Sequence, residues 1–247
     1  MNGNFRAALA ISLAIFLSAT VWSWTFLHAK KLSQNVSVTG SFKKRIRSDL
    51  VLWRTSVVAE GSNLSETYGK VNRDIEKTRA FLAAHGIPVG QIVLSAVETT
   101  PIRQSKRQSS YDEDASAISG AITGYHLKQS LEIRSTDVDK VTAVSRQVTE
   151  LINQGILLES EAPKYLYTHL AETKVEILAE AAKDALARAK QIASSTGSEI
   201  GEVRSADMGV LQITAADSTD VSGYGVSDTT SIEKDITAVV HVTFALK

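Results

Sequence analysis

The chain contains no cysteine among its 247 residues. That removes disulfide scaffolds, thiolate zinc sites, iron–sulfur clusters and cysteine nucleophiles together, and it leaves the redox compartment unreadable. Net charge is absent too: 27 Lys and Arg balance 27 Asp and Glu, so no basic field exists to recruit nucleic acid. Aromatics are few at 6%, whereas 43% of residues are hydrophobic, enough to build one or two ordinary globular domains. Catalytic signatures are missing as well. There is no Gly-x-Ser-x-Gly elbow, no Walker loop and no Rossmann glycine pattern. The histidines, His28, His85, His126, His169 and His241, are scattered singly, and no two stand at the i, i+4 spacing of a helical zinc motif. Neither cofactor nor metal is expected, and no catalytic residue is nominated.

One long apolar run does exist. Ala7 to Leu27 carry no charge, and at about 1.5 Å per residue this stretch reaches about 31 Å, close to the roughly 30 Å core of a bilayer. Arg6 precedes it and His28, Lys30 and Lys31 follow, so the positive-inside rule gives no orientation. Trp22 and Trp24 sit near its end, where amphipathic rings favour the membrane interface. These features predict a signal anchor over residues 1–31, with residues 7–27 spanning. Residues 32–247 would then form a soluble domain on the periplasmic side of the inner membrane. The rival is a cleaved signal peptide, which would leave a secreted or periplasmic protein. Ser18-Ala19-Thr20 lies too early for that cleavage, and Leu27-His28-Ala29 places a bulky residue at −3. Three of the basic residues precede position 32, so the exported part holds 24 bases against 27 acids. It has no electrostatic reason to lie on anionic lipid.

Beyond the run, periodicity alternates between 2 and 3.6. Val36 to Thr39 and Leu50 to Val58 read as strands. Leu64, Tyr68, Val71, Ile75, Thr78 and Leu82 then fall on one helical stripe, with Ser62 or Asn63 as cap and His85-Gly86-Ile87-Pro88 as stop. Gln91–Thr99 reads as a strand, residues 103–117 as a polar loop, and Ile118–Arg134 as a long strand. Thr136-Asp137 opens a second helix, with Val138, Val141, Val144, Val148 and Leu151 on its apolar side and Gly155 ending it. Strand, cap, helix and Gly-Ile thus occur twice. Leu157–Tyr167 reads as a strand bent at Pro163. A third helix, Ala171–Ser195, presents Leu178, Ala182, Ala185, Ala189 and Ile192, carries an Asp184–Arg188 i, i+4 pair, and stops at Thr196-Gly197. Glu199–Thr214 and Ser231–Leu246 close the chain as strands around a Ser, Asp, Thr and Gly-rich loop. With more long strands than helical connections, the expected fold class is α+β: an antiparallel sheet with three main helices, divisible into two sub-lobes, behind the N-terminal helix.

At these positions the chain resembles the SIMPL domain family. Val38-Thr39-Gly40-Ser41, Gly86-Ile87, Gly124-Tyr125 running into Leu131-Glu132-Ile133, Asp137-Val138-Asp139, and the alanine-rich helix leading to Gly197, Ile200-Gly201 and Val203 carry the resemblance by their order and spacing. It spans roughly residues 34–247. Ser41-Phe42 departs from the second glycine of many members, and the 103–117 loop lacks their proline-tyrosine ending. The resemblance implies an α+β fold, export or membrane anchoring, self-assembly into rings in some members, and a link to envelope or oxidative-stress tolerance. It carries over no catalytic centre.

Several residues remain as candidates for contact. Lys43-Lys44-Arg45-Ile46-Arg47 suits an acidic partner or phosphates, or else a solvated hairpin between the first two strands. Asp112-Glu113-Asp114 has the oxygen ligands of a calcium site but not the spacing or glycine of a calcium loop. Ser222-Gly223-Tyr224-Gly225 suits a ligand or a neighbouring subunit, or a plain connection. Trp53 is an interface anchor or a core aromatic. The function this supports is a non-enzymatic, membrane-anchored envelope protein that forms a homo-oligomer and binds no nucleic acid. Two alternatives stand beside it: a monomeric binding module presenting loops 103–117 and 215–230, and a hydrolase using dispersed carboxylates such as Asp112 or Glu132.

Overall fold

The computed structural model describes residues 3–32, 34–104 and 120–247, and within the first helix the side chains of residues 11–25. That helix, α1 (Gly3–Leu32), has 30 residues and so extends about 45 Å. Its described side chains are all exposed, Trp22 at 80% and Trp24 at 65% among them. Among the described residues no helix is long and apolar enough to cross a membrane. The remaining elements are β1 (Asn35–Arg47), β2 (Leu50–Gly61), α2 (Leu64–Ala84), β3 (Ile92–Leu94), β4 (Glu98–Arg103), β5 (Ile122–Ser135), α3 (Val138–Gln147), β6 (Leu157–Ser160), β7 (Lys164–Leu166), α4 (Leu170–Ser195), β8 (Ile200–Met208), β9 (Gln212–Ala215), β10 (Val226–Ser227) and β11 (Glu233–Leu246).

The described strands form two sheets. In the first, β1 pairs antiparallel with β11 from Asn35↔Ala245 to Arg47↔Glu233, β8 and β9 share the other flank of β11, and the short β10 joins β9 in parallel. In the second, β2 and β5 are the central antiparallel pair, flanked by β3 and β4 on β5 and by β6 and β7 on β2. Among the described residues the fold is mixed α+β with four α-helices and antiparallel-rich sheets. α4 covers the first sheet, burying Ile177, Ala181, Ala185 and Ala189 against Ile236, Ala238, Val242 and Phe244. α2 and α3 cover the second, where Val51, Trp53, Val71, Ile75, Leu131, Ile133, Val141 and Val144 form the core. Between them the buried Lys234 Nζ donates to the carbonyls of Tyr165, at 2.7 Å, and Asp228, joining β11 to β7.

Local chemistry accounts for the boundaries. Asn63 Oδ1 accepts the Ser65 and Glu66 N–H groups at 2.9 and 3.3 Å, capping α2. Gly86 and Gly155 take positive φ, 82° and 77°, and the N–H groups of Ile87 and Ile156 reach back to the carbonyls of Leu82 and Leu151. Each isoleucine is thereby buried beneath the helix it ends. The repeated Gly-Ile pair is a repeated helix stop. In the second instance α3 tightens into a 3-10 turn, Val148–Gln154, before its glycine.

Three long strands expected from sequence are each broken. Gln91–Thr99 divides into β3 and β4: six steps from Ile92 to Glu98 face five from Ile133 to Lys128. Across Pro163, four steps from Ser160 to Lys164 face three from Thr55 to Leu52, separating β6 from β7. From Met208 to Gln212 four steps face three from Val240 to Thr237, separating β8 from β9. One extra residue in each flanking strand is the geometry of a bulge, which lets it follow the twist of the long central strand it borders.

Two helical stripes also differ from expectation. The buried row of α4 is Thr173, Ile177, Ala181, Ala185, Ala189 and Ala193, whereas Ala182 and Ile192 are exposed and Leu178 is half-buried. Successive i+4 steps select the alanine row because β1 approaches there at Gly40, where a Cβ would lie 2.2 Å from the Ala181 carbonyl and 2.4 Å from the Ala185 nitrogen. In α2, Leu64 and Tyr68 remain exposed at 42% and 48%. Its first turn overhangs β4 across an open groove beside Val97 and Thr99, and Thr67 takes the inward position.

Candidate functional site

The basic run Lys43–Arg47 is not a hairpin. Pleating continues through it, with Ile46 buried and Lys43, Arg45 and Arg47 exposed on the face away from α4, and the chain reverses only at Ser48-Asp49. The reason is its pairing partner: β11 continues opposite every residue of the run. Each cation also finds a carboxylate. Lys44 Nζ donates to Glu176 of α4 at 2.6 Å, and Arg47 Nη2 donates to both Asp139 oxygens at 2.6 and 2.7 Å. Arg45 donates through Nε and Nη2 to the two oxygens of Asp235 at 3.0 and 3.2 Å, and also to Asp217 at 2.5 Å.

Asp235 is the centre of this network. It is 1% exposed and accepts the Asp217 N–H at 3.0 Å besides the Arg45 fork. The Arg45 guanidinium holds its pKa down at about 2, against the opposing effect of burial. Lys43 Nζ lies 3.6 Å from Asp235 Oδ2 with its side chain 53% exposed. Because Arg45 and the Asp217 amide already occupy Asp235 at closer range, Lys43 is the least committed cation of the run.

Lys43 borders a cleft of about 520 Å³ on the outer face of the first sheet. Thr214 of β9 and Thr237 of β11 contribute to the floor, Val239 and Val210 add apolar surface, and the loop over residues 218–223 forms the opposite wall. The loop is held at both ends. Asp217 is tied to Asp235, and the Gln212 side chain donates to the Ser222 carbonyl at 2.8 Å and accepts its N–H at 3.3 Å. Gly225, at φ 90°, then returns the chain to β10; a Cβ there would lie 2.8 Å from Val210 Cγ1 and 3.0 Å from the Leu211 carbonyl. What reads in sequence as a plain Ser, Asp, Thr and Gly-rich connection is a strapped wall.

The other candidates are dispersed. Trp53 is 1% exposed and its Nε1 donates to Ser160 Oγ at 3.1 Å, so it is a core residue. Tyr224 projects fully into solvent from the loop beside the cleft, and Trp22 and Trp24 lie on α1. Glu132 pairs with Arg54 at 3.2 Å on the outside of the second sheet, while Asp112-Glu113-Asp114 and most of the 103–117 loop lie outside the described residues. The described histidine partners are separate: Phe81 carbonyl for His85, Glu60 for His126, Asp49 and Glu172 for His169, and Thr39 for His241. Among the described residues no group of three His, Asp or Glu is placed to hold a metal. Sequence reasoning missed Asp235, Lys234 and Gln212. The signal was a Lys-Asp pair inside a strand whose following residues are apolar.

A family model described as SIMPL, a protein family of unknown function (DUF541), matches residues 36–244. The chain belongs to the SIMPL family. Among curated proteins none matches it. The matched span of this SIMPL chain begins in β1 and ends in β11, the two strands that pair along their full length, so the family unit is the fold closed by that pairing. α1 lies outside it.

Proposed function

We propose that this SIMPL protein is a non-catalytic envelope component, tethered to the inner membrane by α1, whose periplasmic domain self-assembles. The observation that carries the tether is the exposure of α1: Ile11, Leu13, Ile15, Phe16, Leu17 and Val21 are each more than half exposed. The uncharged run Ala7–Leu27 of the same helix supports an apolar medium around it. Assembly is supported by the flanks of the sheets. All six residues of β4 and seven of the nine in β8 are exposed, and among the described residues each strand pairs on one side only, an edge suited to meeting another chain. A role in envelope or oxidative-stress tolerance belongs to the same reading. The deciding experiment is the mass of the full chain in mild detergent, by light scattering corrected for bound detergent. A defined mass several times 26.6 kDa is expected, with the protein resisting alkaline extraction from membranes. A monomer refutes assembly, and release at alkaline pH refutes the tether. The second reading, a monomeric binding module, is favoured by the strapped cleft, and a monomer with saturable ligand binding would establish it.

A further inference from the structure

The geometry points to a ligand site in the cleft between β9, β11 and the 218–223 loop, built for a small monocarboxylate with an apolar body. This inference is independent of whether the chain assembles. At about 520 Å³ the cleft falls within the usual range for small-molecule sites, roughly 300–1,000 Å³. It is formed before any ligand arrives, because Asp217 is bonded to Asp235 at one end of the loop and the Gln212 amide clamps Ser222 near the other. Preformed walls spare a ligand the cost of ordering them.

The lining sets the chemical class. Val210, Val221 and Val239 offer apolar contact, Val221 being 82% exposed, which suits a hydrocarbon body. Thr214 and Thr237 contribute hydroxyls and Lys43 an ammonium group. Arg45, the next outward cation on the strand, is held at closer range by Asp235 and Asp217, so Lys43, 3.6 Å from Asp235 and 53% exposed, is the cation nearest to hand for an anion. Asp220 also lines the cleft, its carboxylate accepting from Ser218 Oγ at 2.9 Å. A second negative charge on the ligand would therefore meet repulsion without a second cation to offset it. One ammonium, the hydroxyls of Thr214, Thr237, Ser218, Thr219 and Ser222, and the opposing Asp220 carboxylate suit a single negative charge and disfavour phosphate dianions and nucleotides.

The test uses the full chain in lipid nanodiscs, with 4-phenylbutyrate as probe and 4-phenylbutanamide as its neutral counterpart, followed by ligand-observed NMR against empty nanodiscs. The carboxylate is expected to bind saturably and at least about 10-fold more tightly than the amide. Lys43→Met removes that preference while leaving amide binding in place. Val221→Glu, on an exposed loop residue where folding is not at stake, abolishes both. Equal binding of the two probes by the native protein, retention of the preference in Lys43→Met, or a signal no larger than that of empty nanodiscs up to about 10 mM would each overturn the site.

Discussion

Replacing Gly40 by alanine tests whether α4 is seated on β1 by backbone contact. The added Cβ would lie 2.2 Å from the Ala181 carbonyl oxygen, 2.4 Å from the Ala185 nitrogen and 2.7 Å from the Ala185 Cβ. Ordinary contact needs upwards of about 3.4 Å, so the helix must withdraw by about 1 Å at this crossing. No rotamer change relieves it, because two of the three obstructing atoms are backbone. A radial gap of about 0.5–1 Å forfeits a quarter to a half of each dispersion contact, and the row affected, Ile177, Ala181, Ala185 and Ala189, is fully buried. Overpacking commonly costs about 1–3 kcal/mol, and this site belongs at the upper end, about 3 kcal/mol. For a domain of this size that lowers Tm by roughly 6–12 °C. Urea titration of the full chain followed by circular dichroism gives the free energy directly. Pairing the change with Ala185→Gly does not rescue it, since the carbonyl and the amide remain. Ser41→Ala, on the opposite face of the same strand, stays within about 0.5 kcal/mol. A loss below about 0.5 kcal/mol for Gly40→Ala would refute the close approach.

Asp235 makes stability depend on acid. Its folded pKa of about 2 lies below the unfolded value near 3.9, so the associated stability is complete above about pH 4 and disappears as pH falls toward 2. The difference corresponds to between about 2 and 3 kcal/mol. Urea midpoints measured from pH 5 to 2 should fall less steeply in Asp235→Asn than in the native chain, and parallel slopes would contradict the Arg45–Asp235 assignment. Asn63→Ala deletes the cap of α2 and is expected to cost about 1 kcal/mol, with Asn63→Asp close to the native value; equal losses for both would show that the side chain does not cap.

Element order was legible in sequence because each boundary carries its own chemistry. Asn63, Asp137, Gly86, Gly155 and Pro163 mark starts, stops and a bend with residues that satisfy or withhold particular backbone bonds. The strand interruptions were not legible, since the extra residue in β3–β4 or β8–β9 is defined only against a partner strand distant in sequence. The same limit applied to α4. Period alone allows either the Leu178–Ala185–Ile192 stripe or the Ala181–Ala185–Ala189 row, and what decides between them is Gly40, about 140 residues away. The candidate cleft was hidden for the corresponding reason: Lys43, Gln212 and Asp235 meet only when the first strand pairs with the last.

That pairing also fixes where the cleft stands along the chain's first strand. β1 begins at Asn35, opposite Ala245, three positions after Leu32, the last residue of α1. Lys43 pairs with Thr237 eight residues further on, about 27 Å at about 3.4 Å per residue of antiparallel strand. Arg45 and Arg47, beyond it, reach Asp217 and Asp139, so the cleft end of the strand is also where the first sheet is tied to α3. If α1 is a tether, a ligand would therefore be met at the end of β1 remote from it. Lys43 is the link between the cleft and that network, since its Nζ lies 3.6 Å from Asp235, and the Arg47–Asp139 pair stands two residues further along the strand.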